Sequence, residues 1–308
     1  MSGIGVVLNP YSRSYKKNPV RMERFGFIVG DKASCHVTKS LEDLAELAKE
    51  FKEKGIEILG ISGGDGTIHV TLSTFLDVYG DTPLPKIAFL RGGTMNNIAN
   101  TMKIKGYPEK VLSNLITKYH SDEEFQMQEV DLINVNGRHG FLWGTGLISR
   151  FIEEYYKGTP TPINAGKLLA YFLSSAAFNT DFILRMCERF DAKVTVNGVE
   201  WPYKNYVSLH AGSIETFGLH FDPFHRAREK AGHFHMLGCS ATPRIVLSGF
   251  PWIFMRKKVP SEHYLEDITN EVVIEFAEPM KHQLDGDLQP ATDKIILKTG
   301  PRLKVVVV

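Results

Sequence analysis

Two glycine-rich turns, each set between an apolar run and a segment of helical periodicity, constrain what this chain can fold into more than any other feature. The first, Gly63-Gly64-Asp65-Gly66-Thr67, follows Ile56-Glu57-Ile58-Leu59-Gly60-Ile61, and the second, Gly92-Gly93-Thr94-Met95-Asn96-Asn97, follows Lys86-Ile87-Ala88-Phe89-Leu90. Strand, glycine turn and helix, written twice, is the pattern of an α/β layer with a parallel sheet. Glycine lets the backbone bring its N–H groups close to phosphate oxygens, and the helix start behind each turn adds partial positive charge. Either turn alone reads equally well as a plain tight turn. The repetition favours a phosphate cradle at the carboxyl ends of the strands, where open α/β sheets bind ligands.

Asp65 would repel a phosphate directly, so a magnesium ion or its water shell is the expected intermediary; capping of the following helix is its structural reading. A second acidic element, Asp285-Gly286-Asp287, lies late in the chain between segments that read as strands. On the residues alone it is first a turn, because Asp-Gly is a turn signal. A positioned carboxylate there could also take the proton from a hydroxyl nucleophile.

Taken in order with Asn9-Pro10 after the first strand, Val130-Asp131, Phe141 to Ile148 and Gly166 to Phe172, these elements resemble the diacylglycerol kinase catalytic-domain family of lipid kinases. The resemblance covers nearly the whole chain. Its first turn is shared with NAD kinases, whereas Gly93-Thr94-Met95-Asn96 favours lipid kinases. The resemblance implies a Rossmann-like α/β N-terminal domain of the NAD kinase and diacylglycerol kinase type, followed by a β-rich C-terminal sandwich domain. It implies ATP bound through Asn9, Thr38, Gly63, Gly64, Asp65, Gly66, Thr67, Gly93, Thr94 and Asn96, and magnesium served by Asp65 and Asp287. Asp285 becomes the general base, and the acceptor a hydroxyl of a diacylglycerol-like or sphingoid lipid. Three positions depart from the family pattern: His69-Val70 stands for Asn-Glu, Asn97 for Asp, and Ala231-Gly232 for Asp-Gly. Carboxylates are thereby lost near the expected metal. An NAD kinase and a catalytically weak lipid or nucleotide sensor are the alternatives.

The 308 residues are 43% apolar and 23% charged, enough for a sizeable core in one large or two ordinary domains. Residues 1–128 are expected to form the nucleotide-binding domain and 129–287 the lipid-substrate domain, with 288–308 packing back on the first. A formal net charge of +1 gives no diffuse grip on nucleic acid. Cys35, Cys187 and Cys239 lack metal-ligand spacing and read as reduced thiols. Neither a leader nor a stretch of about 20 apolar residues stands out. The expectation is a cytoplasmic enzyme in transient contact with a membrane surface, with a homodimer left open.

Finer signals complete the reading. Ser40 begins a helix with Asp43 three residues on, and Leu41, Leu44, Leu47, Ala48 and Phe51 line its apolar face before Gly55 ends it. Asn136-Gly137 and Asn197-Gly198 mark hairpins. Helices are expected over 149–156, 167–178 and roughly 243–255, and strands over 272–276, 295–298 and 303–308. Gly249 to Lys258 sets an aromatic run beside three cations. It reads first as a core helix with a charged end, and second as an element that inserts into an interface. The apolar runs Phe141 to Trp143, Leu168 to Phe178 and Phe250 to Met255 offer surface for acyl chains. His220, His225, His233 and His235 have no acidic or cysteine partner close in sequence and read as solvated or hydrogen-bonded side chains.

Overall fold

The computed structural model describes residues 3–93, 96–217 and 221–308. Two compact units emerge: residues 1–130 with 302–308, and residues 131–301.

The first unit alternates strands and helices. Its elements are β1 (Ile4–Leu8), α1 (Arg13–Lys17), α2 (Val20–Val29), β2 (Ser34–Val37), α3 (Leu41–Glu53), β3 (Ile58–Ser62), α4 (Asp65–Tyr79), β4 (Lys86–Phe89), α5 (Asn97–Thr101) and α6 (Pro108–His120). β1 pairs in parallel with β2 and β3, and β3 with β4. β1 and β3 are buried along their whole length, as expected of parallel strands covered on both faces. Ser40 caps α3 by accepting the Asp43 N–H at 3.0 Å. The Asp43 carboxylate accepts the Lys39 N–H, one residue earlier than a capping box would have it. Leu44, Leu47, Ala48 and Phe51 are buried on the inner face of α3, and Phe51 meets Phe75 of α4 edge-on at 6.2 Å, whereas Leu41, expected on the same face, is exposed at the first helical position. Parallel strands place Asn9, Gly63 and Gly92, each just past its strand's last residues, along one edge of this layer.

The second unit is antiparallel and β-rich. The chain enters it along β5 (Gln126–Val135) and continues through β6 (Arg138–Gly140), β7 (Leu142–Gly146), α7 (Leu147–Tyr156), α8 (Pro162–Phe178) and α9 (Asp181–Met186). There follow β8 (Phe190–Val196), β9 (Val199–Glu200), β10 (Asn205–Tyr206), β11 (Ser208–Gly212), β12 (Phe234–Cys239), α10 (Pro243–Phe254), β13 (Tyr264–Thr269), β14 (Glu271–Leu284) and β15 (Asp287–Val307). The two Asn-Gly hairpins form as read: Asn136, Gly137, Asn197 and Gly198 all have positive φ, the requirement of a type I′ turn. β7, β11, β12 and β13 pair in that order, and β14 pairs with β7, β8 and β15. Trp143, Tyr206, Phe234, Val194, Ile274 and Leu297 are central to its core. A second cluster, with Phe172, Ala176, Ile183 and Val246, lies under α7 to α10.

Several boundaries differ from the sequence reading. The division falls inside β5, and the final strand joins the first unit only from Arg302, where Val305 pairs with Ile87 of β4. Up to Lys298 the same strand pairs with β14. α8 starts a turn and more earlier than expected, because Thr161 accepts the Asn164 N–H and Pro162 occupies the first helical position, where its missing donor costs nothing. The cysteines are all free, with Cys187 and Cys239 buried.

Ser40→Ala is expected to destabilise the protein by about 1 kcal/mol, the usual worth of an N-cap side chain. A lower urea midpoint with an unchanged slope is the readout.

Candidate active site

The first glycine turn links β3 to α4, and no side chain caps that helix: Gly64 is the N-cap, with extended backbone at φ −87° and ψ −178°. Helix starts of this kind leave N–H groups and a positive dipole end for an anion. The second turn follows β4 and lies directly against the first. A Cβ built on Gly93 would stand 2.3 Å from the Gly64 Cα, and one on Gly92 would stand 2.7 Å from the Gly63 nitrogen. Only glycine permits two backbones to approach so closely.

Polar side chains fasten this double turn. Asp65, the first residue of α4, accepts the Asn97 N–H at 3.1 Å and the Ile98 N–H at 3.2 Å, one on each oxygen. It therefore caps α5, the helix after the other turn, and not its own helix. Asn96, at φ 52°, closes on Gly93 with both ends of its amide, accepting the Gly93 N–H at 2.9 Å and donating to the Gly93 carbonyl at 3.0 Å. Asn9 donates to the Thr67 hydroxyl at 2.9 Å and accepts the Tyr11 N–H, tying the end of β1 to the first turn of α4. Thr38 stands beside it through its N–H to the Leu8 carbonyl at 3.0 Å. Asn9, Gly63, Gly64, Asp65, Thr67, Gly93 and Asn96 thus form one connected cluster. Thr94 lies outside the described residues.

One residue of this cluster escaped the sequence reading. Arg91 opens the second turn at φ 54° and donates to the Asn100 side chain and the Ile104 carbonyl. Burial lowers its pKa, and the nearby Asp65 charge raises it. Its place at the end of β4, next to two glycines, was the available signal.

The second unit carries the other acidic element. Asp285 and Gly286, at φ 51° and 91°, make the two-residue turn between β14 and β15, with Leu284 opposite Asp287. The structural reading of Asp-Gly as a turn is therefore correct, yet the side chain does more. Its Oδ1 accepts the Phe141 N–H at 2.9 Å and the Leu142 N–H at 2.8 Å, and the Asp285 N–H donates back to the Leu142 carbonyl. The half-buried carboxylate is thereby held in one orientation against the start of β7. Tyr156 of α7 donates to the Gly286 carbonyl at 3.2 Å, and burial with the neighbouring Asp287 charge raises its pKa. Asp287 is half-buried beside it.

His282, three residues before Asp285, is buried and accepts the Trp143 indole N–H at its Nδ1, 3.2 Å away. Burial, followed by the charge of Arg138, depresses its pKa to about 4. Phe141, Leu142 and Trp143 are themselves buried, so the acyl-chain surface expected there is core. His235 is fully buried rather than solvated, packed on Phe224 and His225 with its Nε2 3.7 Å from Glu266. His220 lies outside the described residues.

Among the described residues no three His, Cys, Asp or Glu side chains converge as a metal cage. Asp65 already accepts two backbone N–H groups, and Val70, Asn97 and the exposed Ala231 supply no carboxylate. Gly232, beside Ala231, donates instead to Asp131 at 2.7 Å. The described residues present no ready-made multidentate magnesium site.

With this geometry in view, comparison is informative. Residues 4–127 match the model of the diacylglycerol kinase catalytic domain. The match spans the first unit. Among solved structures, a diacylglycerol kinase from Bacillus anthracis str. Sterne is 18% identical, with a TM-score of 0.65 over 99% of this chain and 96% of its own. Two further structures from that organism, provisionally assigned as diacylglycerol kinases, are 18% and 19% identical, each with a TM-score of 0.70 over 99% of this chain and 97% of theirs. At these identities the likeness shows a shared fold across both units. A search of curated proteins found no match. The chain thus shares the fold of these structures across both units, and its match to the diacylglycerol kinase catalytic domain lies in the first.

Gly93→Ala should drive its methyl into the Gly64 backbone and separate the turns, at about 1–3 kcal/mol for overpacking. The expected result is a folded protein, by circular dichroism, that has lost the thermal shift magnesium-ATP gives the parent.

For His282, the unfolded imidazole, at 6.5, binds a proton more readily than the folded one. Its contribution to stability is complete above pH 6.5 and is lost as pH falls toward about 4. Thermal midpoints should decline across that window. His282→Asn should flatten the decline while keeping an acceptor for Trp143.

Proposed function

We propose that this protein is a lipid kinase that transfers the γ-phosphoryl group of ATP to a hydroxyl of a diacylglycerol-like or sphingoid lipid. The observation that carries the reading is the paired glycine turn, two backbones in contact at an uncapped helix start, inside a segment matched by the diacylglycerol kinase catalytic domain. Such a surface suits a chain of phosphates, because backbone N–H groups give no steric bulk and need no reorganisation. Asn9, Thr38, Thr67, Gly93 and Thr94 are assigned to the nucleotide, with Asn96 and Asp65 holding the turn that receives it. Arg91 adds a cation to the same cluster.

Phosphoryl transfer depends mainly on alignment and on neutralising developing charge. On the second unit Asp285 is assigned as general base. It takes the proton of the lipid hydroxyl as the bond from that oxygen to the γ-phosphorus forms and the bond from γ-phosphorus to the ADP oxygen breaks. Its Oδ1 accepts the Phe141 and Leu142 N–H groups and its Oδ2 shares the Phe141 N–H at 3.1 Å, which fixes the orientation of the carboxylate that is assigned to take the proton. Magnesium is assigned to arrive with the nucleotide, held largely by phosphate and water oxygens, with Asp65 and Asp287 as the carboxylates nearest to serve it in their units. Its role is charge neutralisation. No helix among the described residues is long and apolar enough to cross a membrane, so the acceptor is met at a bilayer surface.

Asp285→Asn is isosteric and can keep the amide oxygen on Phe141 and Leu142 while losing the base. Turnover on diacylglycerol or sphingoid base in mixed micelles should fall by about 10²-fold or more with nucleotide binding intact. Near-normal turnover in that variant would move the base to Asp287. Conversion of NAD to NADP with every lipid untouched would replace the reading with NAD kinase, and turnover of neither would favour a sensor, consistent with Val70, Asn97 and Ala231.

A further inference from the structure

The helical side of the second unit carries a surface that the chemistry above does not use. α8 and α10 pack side by side, with Phe172 against Phe250 at 5.9 Å, so each buries one flank and exposes the other. The exposed flanks are apolar. On α10 only Val246 and Gly249 are buried, and its end presents Trp252, Phe254 and Met255 at 36%, 45% and 51% exposure. On α8 Ile163, Tyr171 and Phe178 are exposed, Phe178 at 82%. The core-helix reading holds for Phe250, which packs on Phe172 and Phe221, whereas Trp252 and Met255 are exposed and Phe254 keeps one face on Phe221 and the other in solvent.

Charge tells what such a surface suits. From Tyr155 to Thr180, and again from Ser240 to Ser261, the sequence holds no carboxylate, while Lys157, Lys167, Arg244, Arg256, Lys257 and Lys258 supply cations. Arg256 pairs with the buried Asp222 at 2.5 Å, which anchors the end of α10, and Lys257 and Lys258 extend beyond it, exposed, Lys258 with its Nζ 3.8 Å from Glu266. A second copy of the chain would bring like charges together across a two-fold contact. A bilayer with anionic headgroups offers the complementary sign and an apolar layer at the depth such side chains reach.

We propose that the exposed ends of α10 and α8 dock this protein on an anionic lipid surface, Trp252, Phe254 and Met255 entering the headgroup layer and Lys257 and Lys258 meeting its phosphates. The placement deepens the lipid-kinase reading and rests on it for its purpose. α7 packs on this helical layer, Phe151 meeting Phe172, and reaches the Asp285 turn through Tyr156. The docking element and the proposed base are thus carried by one unit.

The test is co-sedimentation of the full chain with vesicles of phosphatidylcholine alone or mixed with phosphatidylglycerol, without nucleotide. Binding should be at least about 10-fold tighter to the anionic vesicles and weaken with salt. Lys257→Gln with Lys258→Gln should remove about 30-fold from binding to anionic vesicles, at roughly one kcal/mol per cation. Trp252→Ser with Phe254→Ser should weaken binding to both kinds. The two lysines and Trp252 are exposed and Phe254 keeps only one face on Phe221, so thermal midpoints should hold for the lysine pair and fall only slightly for the aromatic pair. Turnover of a short-chain, dispersed diacylglycerol should also stay at the parent level. Equal binding to the two vesicles, binding unchanged in both variants, or self-association abolished by the variants with no vesicle binding would overturn the proposal. Because sedimentation needs no turnover, absence of lipid phosphorylation would sink the kinase reading and leave this one standing.

Discussion

The contact between two peptide segments, Gly63-Gly64 and Gly92-Gly93, is the constraint on which the first unit's site depends, since a single methyl group at Gly93 would fall 2.3 Å from another Cα. Strand pairing brings the segments to the same edge: β3 and β4 are parallel neighbours, so their carboxyl ends stop side by side. The turns then have to lie flat against each other, and polar side chains fix them there. Asp65 reaches from one helix start to cap the other, Asn96 closes on Gly93, and Asn9 ties in Thr67. Each of these is a net contribution of about 1 kcal/mol in isolation. Their value is in geometry, because a phosphate cradle works only if its N–H groups are already aimed.

The second unit solves a similar problem with one carboxylate. A type I′ turn would expose Asp285 to solvent if nothing else acted on it, but the N–H groups of Phe141 and Leu142 take hold of its side chain. Gly140 permits this, as a Cβ there would come within 2.7 Å of Asp285 Oδ2. The turn, the start of β7 and Tyr156 of α7 are therefore tied together by hydrogen bonds. In both units a carboxylate is oriented by backbone N–H groups from another segment, which leaves side-chain identity elsewhere free to vary.

Substitution of the family's usual residues is where that freedom shows. Val70 is half-buried on α4, Asn97 uses its N–H on Asp65, and Ala231 is exposed beside the Gly232 that binds Asp131. None of these changes disturbs the cluster of turns. Within the first unit, Val70 and Asn97 carry no charge beside that cluster, which in the proposed reading bears on magnesium and leaves the phosphate cradle intact.

Local grammar was legible in the sequence wherever it rests on short-range physics. The strand-turn-helix pairs, the Ser40 cap and the Asn-Gly hairpins each follow from steric rules acting over a few residues, and each stands in the structure. The Asp-Gly turn is legible for the same reason. What a side chain faces is set by distant segments, and there the reading failed in instructive places. Phe141 to Trp143 looked like lipid-facing surface and is core, because β14 and β11 cover β7 on either side. Phe250 to Met255 looked like core and divides between core and solvent: Phe250 packs on Phe172 and Phe221, while Trp252, Phe254 and Met255 are exposed past those neighbours. An apolar residue carries the same transfer free energy in either position, so composition cannot separate the two. The partners of Asp65 and Asp285, separated from them by about 30 and 140 residues, were likewise decided only when the sheets closed.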